Sequence, residues 1–99
     1  MNFIETLASE IRAELPIEVL PDDDTDQLFL FYAVLLLAKE TSVTPEDVHN
    51  AWAAWMSGRD EGHPSVVPFS ELDEATKAED LPFVDAIRRV AERRPEDTR

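Results

Sequence analysis

The feature that most limits this chain is an unbroken apolar run from Leu28 to Ala38, LFLFYAVLLLA, eleven residues long. A membrane-spanning helix needs about 20 such residues, so the run is too short to cross a bilayer and has to be buried in protein. The chain shows few strand signals, so the run reads as part of a helix. A helix apolar on every side belongs either at the centre of a fold or under a partner.

The flanking sequence supplies helices to surround it. Phe3, Ile4, Leu7, Ala8, Ile11 and Leu15 recur at three- and four-residue steps, an amphipathic helix ended near Pro16. Residues 15–25, with two prolines and three aspartates, read as an extended connector, after which Asp24 or Thr25 can cap a second helix through about Lys39. Thr44-Pro45-Glu46-Asp47 is a strong start signal, combining a capping hydroxyl, proline at the first helical position and acids in the first turn. The third helix then runs through Met56 and stops around Ser57-Gly58. Asp73 caps a short turn. Asp80 caps a last helix with Pro82 in its first turn and Phe83, Val84, Ile87, Val90 and Ala91 as its buried stripe.

Between the third and last helices lies His63-Pro64-Ser65-Val66-Val67-Pro68-Phe69. The two prolines forbid helix between them and bias the segment to extended backbone. The expected fold is therefore all-α: a small helical domain of about four main helices, with an extended, proline-bracketed strap at 63–69 laid across them. The strap is expected to sink Val66, Val67 and Phe69. Residues 1–24 form an N-terminal helix and acidic connector, 25–94 the main helical domain, and 95–99 a disordered, charged tail. No internal repeat is present.

Charge excludes a class of partner. Nine Lys and Arg stand against 22 Asp and Glu, a formal net charge of −13, whereas nucleic acids are bound largely through phosphate neutralisation by Lys and Arg. Direct nucleic-acid binding is not expected. The bases are unevenly placed: Arg12, Lys39 and Arg59 are the only ones before Lys77, while Arg88, Arg89, Arg93, Arg94 and Arg99 crowd the end, which suits a helix C-terminus. An acidic face can also imitate a phosphate backbone and occupy a DNA-binding protein. There is no cysteine, so neither a disulfide framework nor a thiolate metal site is available, in keeping with a reducing cytoplasm. Residues 1–15 carry three acids and a single base and do not read as a signal peptide.

Most catalytic and metal signatures fail on inspection. Asp22, Asp24 and Asp26 alternate like the first ligands of an EF-hand loop, but Gln27 and Ala33 occupy the positions that need glycine and a bidentate glutamate. His49 and His63 are far apart, and two glycines in all leave no P-loop or Rossmann fingerprint. No nucleophile stands beside an obvious base. No enzyme activity, cofactor or metal is expected. What remains is an aromatic and proline constellation. Val48, Trp52 and Trp55 share a helix face, with Ala51 and Ala54 small enough to admit a neighbour. These residues and the strap form either plain core or the walls of a pocket in which a planar ligand stacks.

The order His49-Asn50-Ala51-Trp52, a turn, then His63-Pro64-Ser65-Val66-Val67-Pro68-Phe69-Ser70-Glu71-Leu72 and a closing helix resembles the RyR domain, the repeat named after ryanodine receptors. The likeness covers about half of the chain. It implies a single-copy, ligand-binding or sequestering module for nucleotide-derived molecules. In that scheme an adenine-like ring stacks on Trp52, Trp55 and Phe69 form apolar walls, Arg59 meets a phosphate, and His63 positions the strap. The turn at 57–62 is shorter than in that family and lacks its Gly-Trp and Tyr-Gly aromatics, which weakens the ligand inference more than the fold.

The other reading is an acidic interaction or oligomerisation adaptor, including a DNA-mimicking inhibitor. The surplus apolar surface of the second helix predicts a homodimer with helices one or two at the interface. The preference for Ala, Asp, Glu and Arg suggests a GC-rich genome and, with the small size, an actinobacterial phage or prophage protein acting in the host cytoplasm.

Overall fold

A computed structural model describes residues 2–20 and 25–94. Asp22 and Asp24, and the tail expected to be disordered at 95–99, lie outside them.

The fold is all-α, as the sequence predicts, with no strand among the described residues. Helix α1 spans Phe3–Ala13, α2 Asp26–Lys39, α3 Pro45–Ser57, α4 Glu74–Ala78 and α5 Leu81–Arg93, with single 3₁₀ turns at Ile17–Val19, Glu40–Ser42 and Phe69–Glu71. Four helices are long and α4 is little more than one turn.

The local start signals act as their chemistry dictates. Asn2 and Glu5 form a reciprocal capping box on α1, and Thr44 and Asp47 form another on α3. Asp73 caps α4 by accepting from the Thr76 amide at 2.8 Å. Two expected caps behave differently. Thr25 stands at the cap position of α2 but makes no capping bond; its hydroxyl accepts from Arg12 Nη2 at 2.9 Å. Asp80 precedes α5 and also makes no capping bond with its side chain. Helix α2 ends at Glu40, whose φ of 52° turns the chain sharply into the next 3₁₀ turn.

Helix α2 is the hub. Leu28, Phe29, Tyr32, Ala33 and Leu36 are buried, in contact with α1, α3 and α5. Leu7, Ala8 and Ile11 of α1, and Leu15 just after it, belong to this same core. Val84, Ile87 and Val90 of α5 and Val48 of α3 complete it. The basic end of α5 has local partners, since Arg89 and Arg93 both reach Glu14 after α1. Arg88 Nη2 donates to the Val43 carbonyl at 2.7 Å, tying α5 to the link between α2 and α3.

The strap is non-helical, but only part of it is drawn out. The Val66 amide donates to the His63 carbonyl at 3.0 Å, closing a turn around Pro64 and Ser65. This use of Pro64 follows from its fixed φ, which suits the second position of a β-turn. The chain then extends through Pro68, with φ −55° and ψ 145°, before the turn that begins at Phe69. No helix is long and apolar enough to cross a membrane among the described residues.

Ile87 has no solvent exposure and sits where α5 meets the rest of the core. Ile87→Ala should therefore cost about 2–5 kcal/mol of unfolding free energy, read as a lower urea midpoint. A loss under about 0.5 kcal/mol, the scale of surface substitutions, would show that α5 is not part of the core.

Candidate functional site

A cleft of about 370 Å³ opens between α2, α3, the strap and the α4–α5 junction. Each wall follows from a local feature already described. Tyr32 and Leu28 rise from the buried side of α2 as its floor. Trp52, Trp55 and Met56 come from α3, where steps of three and four residues put His49, Trp52 and Met56 on one side. His63 and Ser65 come from the strap. Thr76, Glu79, Asp80 and Phe83 come from α4 and the start of α5.

His49 holds this wall together. It is almost fully buried, and its Nε2 lies 2.7 Å from the Val67 carbonyl. A carbonyl only accepts, so Nε2 carries the hydrogen and donates it. This bond fastens the strap to α3. The His49 ring also stacks on Trp52, with centroids 5.7 Å apart and planes 28° apart, and lies tilted against Phe69 at 6.0 Å. His63 meets Trp52 edge-on at 5.2 Å. Its Nδ1 accepts from the Ser65 amide at 3.0 Å, which braces the turn and leaves the proton of a neutral ring on Nε2. Positioning the strap is thus divided between two histidines, with His63 shaping the turn and His49 attaching it.

Of the five residues singled out from the sequence, Trp52, Trp55 and His63 line the cleft. Trp55 contributes little open surface, being 8% exposed and part of the core. One face of the Trp52 indole is taken by His49, so at most one face is left for a ligand. Arg59 does not line the cleft; its guanidinium lies 4.7 Å from the Trp55 ring centroid, a cation–π contact. Phe69 lies outside as well, between His49 and the Lys77 ammonium, which is 5.3 Å from its ring centroid.

Among the lining residues that sequence reasoning missed are Tyr32, Glu79, Asp80 and Phe83. Tyr32 was hidden in an apolar run, and Asp80 read as an ordinary helix cap. In the fold Asp80 Oδ2 is sealed from solvent without a hydrogen-bond partner among the described residues. Burial pushes the Asp80 carboxyl up to about 6, with His49 pulling it back and Glu79 adding to the rise. Burial, helped by the charge of Asp80, also pushes the Tyr32 phenol up. Among the described residues no three His, Asp or Glu side chains come together in a set able to hold a metal ion.

Comparison with known families decides the relationship. The model of one family, described as "Domain of unknown function (DUF7701)", matches residues 2–92. The chain belongs to this family. The RyR resemblance is therefore corrected: the DUF7701 match runs through α1 and the connector as well as the motif region, whereas the resemblance rested on about half of the chain. The short wording it relied on has a local explanation, because a histidine three residues before a tryptophan clasps a strap that two prolines keep out of helix. No curated protein and no solved structure matches the chain.

The carboxyl of Asp80 gives a prediction for the DUF7701 chain. Its folded pKa lies above the ordinary 3.8, so the folded state holds this proton more tightly than the unfolded state does. The stabilising effect is complete below about pH 4 and is lost as pH rises through about 6. Asp80→Asn should accordingly stabilise the protein above pH ~7 by about 1 kcal/mol, solvent screening reducing the effect at a half-buried side chain. The gain should close toward about pH 4. His49, His63, Glu79 and Tyr32 face the same cleft, so the readout is the difference in urea midpoint between variant and parent across pH. A constant difference would contradict the assignment.

Proposed function

We propose that this chain is a non-catalytic binding module that holds a small, partly apolar molecule in the cleft between α3, the strap and the start of α5. The observation that carries this reading is the cleft itself. Its volume of about 370 Å³ falls within the roughly 300–1,000 Å³ of small-molecule sites, which combine apolar walls with a few convergent polar groups. Leu28, Met56, Trp52 and Phe83 supply the walls, and His63, Thr76 and Asp80 the polar groups. A nucleotide has lost its support as the ligand: it rested on the RyR resemblance and on Arg59, and no Lys or Arg among the described residues lines the cleft.

The test is a titration with 2-phenylethanol followed through the two indole N–H signals by NMR, assigned with Trp52→Phe and Trp55→Phe. A saturable shift of the Trp52 signal is expected, with a Kd on the order of 1 mM for so small a probe. Shifts that never saturate, or that scatter over the whole surface, would sink the reading.

A second reading, self-association, is favoured by one specific observation. Phe31 and Val34, three residues apart on α2, are 40% and 55% exposed although the other large apolar side chains of that helix are buried or half-buried. We infer a homodimer in which this stripe meets its own copy across a two-fold axis. Light scattering at micromolar concentration should report twice the chain mass, and Val34→Glu should return it to one. A parent protein that is monomeric there would refute the dimer.

A further inference from the structure

We infer that the ligand of this cleft is an organic cation, a small ammonium carried on an apolar body, with Asp80 as its counter-charge and Trp52 as an aromatic wall. The inference rests on the reading that the cleft is a ligand site.

Charge is the first argument. Glu79 and Asp80 both line the cleft, and no Lys or Arg among the described residues does. The bases nearest in sequence are engaged elsewhere: Lys77 over Phe69, and Arg88 on the Val43 carbonyl. An anionic ligand would meet two carboxylates and neither a lysine nor an arginine among the described residues.

Satisfaction of polar groups is the second. Asp80 Oδ2 has no hydrogen-bond partner among the described residues, and a buried acceptor left in that state is destabilising. Neither histidine donates to it in this structure, the Nε2–H of His49 being spent on the Val67 carbonyl. A bound ammonium brings positive charge to the part of Asp80 that lines the cleft, and charge-assisted hydrogen bonds are roughly twice as strong as neutral ones. A neutral ligand would bring no positive charge to that carboxylate.

The rings are the third. Trp52, Tyr32 and Phe83 stand around the same space, and tryptophan is the best of the aromatic side chains for attracting a cation to its face. The apolar walls then take the body of the ligand, while the carboxylate takes its head.

The experiment uses three probes of one shape, 2-phenylethylamine, 2-phenylethanol and phenylacetate, titrated into the full chain at a pH well above the Asp80 value of about 6. The Trp52 indole signal reports binding. The amine is expected to bind about tenfold more tightly than the alcohol, and phenylacetate most weakly. Asp80→Asn should erase the advantage of the amine. Glu92→Gln, which removes one acid from the exposed side of α5, should keep it. Equal affinities for amine and alcohol, or an advantage that survives Asp80→Asn, would overturn the cation while leaving the cleft as a ligand site. If none of the three probes shifts the signal, the cleft reading fails and takes the cation with it. Circular dichroism on each variant separates lost binding from lost folding.

Discussion

The burial of α2 is the constraint on which the rest of this molecule depends. A helix with Leu, Phe, Tyr and Val on nearly every side loses about 1.5–3 kcal/mol for each large side chain left in water. One neighbour cannot cover it. Helices α1, α3 and α5 all contact it, and the link from α2 to α3 is a short turn that lets the chain return at once. This is why α2 ends on a residue at positive φ, and why Arg88 reaches across to the Val43 carbonyl just after it. Covering is nonetheless incomplete, and the stripe through Phe31 and Val34 is what three neighbours leave open.

The cleft is a consequence of the same arrangement. Tyr32 is buried among Phe29 and Phe83, with ring centroids 5.5 and 5.6 Å away, and its phenol end is placed near the start of α5. The last helix has to approach α2 with its apolar stripe, and that approach brings Asp80 toward Tyr32 and His49. The carboxyl is partly desolvated and its charged form disfavoured. The strap forms the opposite rim because His49 donates to Val67. A single side chain therefore joins the third helix, the strap and the indole of Trp52, and the opening of the cleft follows from where that clasp puts His63.

Short motifs in such a domain carry less family information than their wording suggests. His49 and Trp52 lie one turn apart on a helix, and a strap with two prolines needs something to hold it, so histidine donating to a strap carbonyl is a physical solution open to unrelated helical domains. The match to DUF7701 over residues 2–92 includes the pattern of α1 and the acidic connector, which the motif leaves out.

The chain by itself determined its helices. Their periodic apolar stripes, the capping box at Thr44, the cap at Asp73 and the prolines at the first turns of α3 and α5 are local signals, set within four residues of where they act, and so they can be read in one dimension. The central place of α2 was legible from composition, since so apolar a helix needs neighbours on most of its sides. At the site, Trp52 and His63 were legible because aromatic and proline-flanked residues are conspicuous in a sequence. The partners of Arg59 and Phe69 were not, because each spends its ring or charge on a neighbour, Trp55 in one case and His49 with Lys77 in the other. Asp80 was the least legible. From the sequence it is a helix cap like Asp73, and the two differ only in surroundings: Asp73 is exposed and bonded to the Thr76 amide, while Asp80 is half-buried beside Tyr32 and His49 with one oxygen unpartnered. Desolvation is a property of the space that other elements leave around a group, so only the tertiary structure decided which of the two carboxylates faces the cleft.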